Sequence, residues 1–193
     1  ETLEVLKVDR LEDFDFTNYL QDCKLLRHLS VGEGTIISSK QSLPTVTSLE
    51  LEYQRMNLLR ATPNIRELKL NSHFDDPHAD FLKWHLLSRC PLLERLEVED
   101  LPMDDFPIVP SLKSLKLTQM LHIDSEVFSR NPQIEELTFV MCHELGRRKS
   151  KVLKIIVGYL NELKSLTIVS STKIDPSAIK YVKTKCTKLK QFR

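Results

Sequence analysis

The pattern LxxLxL, with valine, isoleucine or phenylalanine allowed at its apolar positions, recurs eight times along the 193-residue chain and leaves few folds open. The triplets are Leu3/Leu6/Val8, Leu26/Leu29/Val31, Val46/Leu49/Leu51, Ile65/Leu68/Leu70, Leu93/Leu96/Val98, Leu112/Leu115/Leu117, Ile134/Leu137/Phe139 and Leu163/Leu166/Ile168, with a truncated ninth at Leu189/Phe192. Their first positions are separated by 23, 20, 19, 28, 19, 22, 29 and 26 residues. The last two apolar residues of each triplet alternate with polar ones, the period of a strand with one buried face. Strands this far apart pair in parallel, because a hairpin return would be much shorter. The expected fold is an α/β solenoid: right-handed, with a curved parallel sheet on its concave face and mixed helical and extended segments on its convex face. Residues 1–193 read as a single repeat domain of about eight repeats plus a truncated ninth, excerpted from a larger protein.

Interval length predicts what lies between the strands. Amphipathic stretches at Asn18-Tyr19-Leu20, Ala79 to Cys90, Ser125 to Arg130, Lys151 to Leu160 and Ala178 to Cys186 precede the strands that follow the longer intervals. The intervals of 19 and 20 residues contain Pro44, Pro63 and the run from Leu101 to Pro110 with three prolines, and are expected to be extended. Asp75-Asp76-Pro77, Asp124-Ser125 and Asp175-Pro176 have the form of helix starts, with a capping side chain and, in two of them, a proline at the first turn.

Several repeats open alike: Asp22-Cys23-Lys24-Leu25-Leu26, Arg89-Cys90-Pro91-Leu92-Leu93, Arg130-Asn131-Pro132-Gln133-Ile134 and Lys185-Cys186-Thr187-Lys188-Leu189. This resembles the cysteine-containing class of leucine-rich repeats, in which a Cys-Pro-x-Leu turn leads from helix to strand. The class is common in F-box proteins, so the resemblance implies a substrate receptor of a ubiquitin ligase, meeting Skp1 and a cullin through a region outside this chain. Thr62, Val109 and Asn131 stand where other repeats have cysteine, Cys142 alone fits the strand-exit position, and no F-box is present.

Composition narrows the function classes. No apolar run reaches the ~18 to 20 residues of a membrane span, and Glu1-Thr2-Leu3-Glu4 has no signal-peptide shape. Four dispersed cysteines without a CxxC pair, and no Asn-x-Ser/Thr sequon, point to an intracellular protein, cytoplasmic or nuclear, with all thiols reduced. The six histidines form no HxxxH pair, Gly32-x-Gly34 lacks a third glycine, and neither a P-loop nor GxSxG occurs. No metal, no cofactor and no catalysis are expected.

Function is therefore sought in strand residues facing away from the core. Between the last two apolar residues of each triplet stand Lys7, Ser30, Glu50, Lys69, Glu97, Lys116, Thr138 and Thr167; one residue beyond the triplet stand Asp9, Gly32, Glu52, Asn71, Glu99, Thr118, Val140 and Val169. Glu50, Lys69, Glu97 and Lys116 should form an alternating charge ladder. The expected site for a protein or peptide ligand comprises Glu50, Glu52, Tyr53, Glu97, Glu99, Asp100, Lys116, Val140, Met141 and Val169, with the three last as an apolar anchor.

A second candidate is the basic end. Residues 1–100 hold 12 Lys/Arg against 18 Asp/Glu and residues 101–193 hold 16 against 9, so a net charge of +1 conceals halves of −6 and +7. The basic patch comprises Arg147, Arg148, Lys149, Lys151, Lys180 and Lys183. Such a patch could dock nucleic acid, anionic lipid or an acidic subunit; because aromatic residues do not interleave with the basic ones, a solvated helix face or an acidic protein interface is expected before nucleic acid. A general repeat scaffold or receptor domain, and a nucleic-acid adaptor, are the alternative readings.

Overall fold

The computed structural model describes residues 2–10, 20, 22–33, 42–72, 83–145, 150–170 and 174–193. The triplets become the strands β1 (Val5–Arg10), β2 (His28–Glu33), β3 (Ser48–Glu52), β4 (Glu67–Asn71), β5 (Arg95–Glu99), β6 (Ser114–Thr118), β7 (Glu136–Val140), β8 (Ser165–Val169) and β9 (Gln191–Phe192). They form one nine-stranded sheet in chain order, every pairing parallel. The fold is an α/β leucine-rich-repeat solenoid.

Each repeat closes on the same turn. The amide of the first triplet residue donates to the carbonyl three residues earlier: Leu26 to Cys23 (3.0 Å), Leu93 to Cys90 (3.1 Å), Leu112 to Val109 (3.0 Å), Ile134 to Asn131 (3.3 Å) and Leu189 to Cys186 (3.1 Å). The chain then enters its strand with two successive amides on one carbonyl of the preceding repeat, as Glu94 and Arg95 do on Arg66, both at 2.9 Å. Stacking thus satisfies backbone groups that no single repeat could satisfy alone.

The second and third triplet positions fill one side of the sheet, and Leu29, Leu49, Leu68, Leu96, Leu115, Leu137 and Leu166 are all buried. Asn131, fully buried, does what cysteine cannot: its Oδ1 accepts from the Val109 amide (2.8 Å), and its Nδ2 donates to the carbonyls of Val127 (2.9 Å) and Pro107 (3.2 Å), joining two repeats. Trp84 is buried as well, edge-on to Phe106 at 5.2 Å with its indole N–H on the Pro102 carbonyl, which gives it a packing role.

Among the described residues the helical return segments are α1 (Glu126–Arg130), α2 (Ser150–Tyr159), α3 (Pro176–Lys185) and 3-10 helices at Tyr53–Arg60, Trp84–Arg89 and His143–Leu145. Asp175 caps α3, accepting from the Ser177 amide at 2.8 Å ahead of Pro176, and Asp124 accepts from Glu126 at the start of α1. Asp75-Asp76-Pro77 and the first part of the Ala79–Cys90 stretch lie outside the described residues. The expectation of an extended return between Val46 and Ile65 needs correction, since that 19-residue interval holds the eight-residue 3-10 helix Tyr53–Arg60. A 3-10 helix rises ~2.0 Å per residue, against 1.5 Å for an α-helix, so it returns the chain in fewer residues. The return through Leu101–Pro110 contains no helix.

Candidate functional site: the solvent face of the sheet

Parallel register carries residues at equal positions in successive repeats into columns. Lys7, Ser30, Glu50, Lys69, Glu97, Lys116, Thr138 and Thr167 are consecutive cross-strand partners. The charge ladder forms: Lys69 Nζ lies 2.7 Å from Glu50 Oε1, and Lys116 Nζ 2.6 Å from Glu97 Oε1. Asn71 Nδ2 and Ser30 Oγ also donate to Glu50, each at 3.3 Å. Burial pushes the Glu50 carboxyl up, but the bonds from Lys69 and Asn71, the Lys69 charge and the Ser30 bond outweigh it and leave the group below the ordinary carboxylate range. The hydrogen bond to Glu50 is the main reason the Lys69 ammonium is raised.

A second column was missed in the sequence: His28, Ser48, Glu67, Arg95, Ser114, Glu136 and Ser165, also consecutive partners. The same alternation that places Glu50 outward places the residue two positions earlier outward as well, so the signal was present. Arg95 pairs with Glu67, and His28 Nδ1 meets Ser48 Oγ at 2.8 Å. Both columns line a trough of about 340 Å³ over the middle strands. Although a hydroxyl and an imidazole touch there, no carboxylate among the described residues orients His28, so the pair lacks the third member of a nucleophile-activating triad. The trough is a self-neutralised surface of paired side chains.

The strand exits form a different rim. Asn71, Glu99, Thr118, Val140 and Val169 are partners in register. Immediately beyond them Asp100, Gln119 and Met141 adopt left-handed backbone, with φ of 47°, 56° and 54°. Each of these residues donates its amide to the next strand exit: Asp100 to Thr118 (3.0 Å), Gln119 to Val140 (2.8 Å) and Met141 to Val169 (2.7 Å). Left-handed backbone is uncommon for a methionine, and here the interstrand bond holds it. The Met141 side chain is 48% exposed, Val169 is 50% exposed and Val140 is half-buried. Leu121, 69% exposed two residues past Gln119, is a further apolar surface residue that the repeat pattern does not single out.

Of the ten expected contact residues, Glu50, Glu97 and Lys116 sit in the trough, while Glu99, Asp100, Val140, Met141 and Val169 share the exit rim. Glu52 and Tyr53 need correction: both are buried, and Tyr53 is part of the core. Strand β3 has no left-handed exit; extended Glu52 (φ −72°, ψ 142°) runs straight into the 3-10 helix, which turns Tyr53 inward. On the return side Lys151, Lys180 and Lys183 are exposed, whereas Arg147, Arg148 and Lys149 lie outside the described residues.

Among the described residues no three His, Cys, Asp or Glu side chains gather as metal ligands, and no helix is long and apolar enough to cross a membrane. All four cysteines are buried thiols, and burial pushes Cys90 up to about 11.

No protein-family model matches the chain, and no curated protein matches it. Among solved structures it is similar to an internalin (inlF) from Listeria monocytogenes, at 18% identity and a TM-score of 0.49, across 99% of this chain and 60% of that one. The chain thus spans 60% of the length of that structure. The fold assignment rests on the nine-stranded sheet itself.

Proposed function

We propose that the chain is a noncatalytic protein-recognition module that reads a protein or peptide ligand on the solvent face of its sheet, at the exit rim of the last repeats. The observation that carries this reading is the apolar cluster of Val140, Met141 and Val169 on adjacent strand exits, exposed where folding alone gives no reason for it. The rim grades from carboxylates at Glu99 and Asp100, through Thr118 and Gln119, to this cluster. Neighbouring strands lie ~4.8 Å apart, so an apolar ligand group at Val169 and a basic one at Glu99 would be separated by roughly 14 Å. Glu99 and Asp100 set charge preference and Met141 supplies the dry contact.

The finer reading, supported by the cysteine-type turns alone, is that of the substrate-binding repeat domain of an intracellular F-box ubiquitin ligase receptor. Affinity purification of the full-length protein is expected to bring down Skp1 and a cullin; their absence, with other partners retained, would leave a general repeat scaffold. In the same purification Met141→Glu should release the ligand while leaving the circular-dichroism spectrum native. Undiminished capture by that variant would remove the exit rim from consideration.

A further inference from the structure

The return side carries a surface that the sheet face does not account for. Helix α2 exposes Lys151, Ile155 and Tyr159, one residue per turn, with Ile155 46% and Tyr159 41% exposed. Helix α3 packs beside it and exposes Lys180, Lys183 and Tyr181, the last at 39%. Lys154 Nζ reaches Ser177 Oγ across the two helices at 3.1 Å. One turn farther along each helix come Gly158 and Tyr181.

Gly158 has no folding reason to be glycine. It is the penultimate residue of α2, in the last turn, where a Cβ would meet nothing within 4 Å and the backbone is not left-handed. With helical rather than left-handed backbone, glycine gains nothing here over alanine, so helix stability gives no preference for it at this position. What a missing Cβ permits is close approach to the backbone by something outside the helix.

The charges show the same one-sidedness. Lys164 and Lys188, elsewhere in these repeats, are matched by Glu135 and Glu162, both at 2.6 Å. Lys151, Lys180 and Lys183 have no carboxylate partner among the described residues. Residues 146–193 contain 13 Lys/Arg and 2 Asp/Glu, so the wider surroundings supply little counter-charge.

We infer that the α2/α3 face is a second docking site, built for an acidic protein segment that carries an apolar or aromatic side chain. The segment's carboxylates meet Lys151, Lys180 and Lys183, and its apolar side chain packs on the open backbone at Gly158 beside Ile155, Tyr159 and Tyr181. Charge complementarity selects an anionic partner. The open backbone at Gly158 selects a peptide over a bilayer, which has no use for a missing methyl, and over a polyanion, which would need only the lysines. This site is independent of the exit rim.

The test uses the chain with a fluorescein-labelled 12-residue peptide of glutamates around a central Phe-Leu pair, read by anisotropy at 50 and 200 mM salt. Binding should weaken with salt, fall at least tenfold in Lys180→Glu/Lys183→Glu, and fall several-fold in Gly158→Ala and in Tyr181→Ala. Met141→Glu should leave it unchanged. Gly158→Ala should meanwhile leave the Tm unchanged or raise it, by up to about 4 °C, separating loss of binding from loss of fold. The inference is overturned if the peptide does not bind at 1 mM, or if Gly158→Ala and Tyr181→Ala bind as the parent does. It is equally overturned if phosphatidylserine vesicles or a 20-nucleotide single strand bind more tightly than the peptide.

Discussion

The middle of the sheet face and the carboxyl-terminal repeats are built on the same strand positions and filled in opposite ways. From β3 to β6 the outward residues are charges that answer each other: Glu50 with Lys69, Glu97 with Lys116, Glu67 with Arg95. On β7 and β8 those two columns hold Thr138, Thr167, Glu136 and Ser165, the exit column holds Val140 and Val169, and on the return side Lys151, Lys180 and Lys183 lack carboxylate partners among the described residues. A solenoid fixes where side chains stand and leaves open whether they satisfy one another. A ligand at the middle would have to displace ion pairs already made, whereas at the carboxyl-terminal end it meets surface that the fold leaves unsatisfied.

The comparison requires both regions to rest on one continuous core. Leu96→Ala and Leu115→Ala under the trough, and Leu166→Ala under the apolar rim, should each cost ~2 to 5 kcal/mol, because each removes a buried strand leucine and neighbouring repeats cannot close the cavity. Urea denaturation measures this, and a near-neutral Leu166→Ala would separate the two regions into different folding units. Asn131→Ala should follow, at about 1 to 3 kcal/mol, since it strands the buried Val109 amide. Asn131→Asp should not restore the parent stability, because the Val127 and Pro107 carbonyls would lose their donor.

The ladder itself contributes less. Glu50→Gln should change stability by under ~1 kcal/mol, as expected of a pair this open to solvent. Its pH signature is sharper than its size. Because the Glu50 carboxyl is held below 4.5, its contribution is present above that pH and is lost as pH falls through the depressed folded-state value; Lys69, raised above 10.5, contributes below that pH and loses its effect as pH rises through the raised value. Urea midpoints between pH 7 and pH 3 should therefore decline less steeply in Glu50→Gln than in the parent. The smallest effect belongs to Met141→Gly, which relieves left-handed backbone and should stabilise by up to about 1 kcal/mol or be neutral. At Val140, whose backbone is not left-handed, glycine should destabilise.

The apolar triplets made the architecture legible because each of their positions does one thing, and their recurrence fixed strand, direction and register together. Legibility ended where the strand stopped. Counting outward from Leu51 by alternation puts Glu52 in solvent, and Tyr53 joins the surface only as its neighbour; yet the chain leaves β3 without the left-handed residue found after β5, β6 and β7, Glu52 is buried at the strand end, and the 3-10 helix turns Tyr53 into the core. No residue at 52 or 53 announces that choice. The His28 to Ser165 column was equally readable as the one holding Glu50, but a search confined to residues after the second apolar position passes over it. That the backbone at Gly158 stands open, with nothing within 4 Å of where a Cβ would be, is a fact of tertiary structure that the sequence does not carry.

The central claim, that recognition happens on the exit rim and not in the neighbouring trough, is tested most directly by placing a photo-crosslinking amino acid at Met141 or at Lys69 in the full-length protein and irradiating intact cells. The account predicts that the Met141 probe yields a discrete partner adduct, abolished by Val169→Glu, while the Lys69 probe yields none. An adduct from Lys69 with none from Met141 would contradict it.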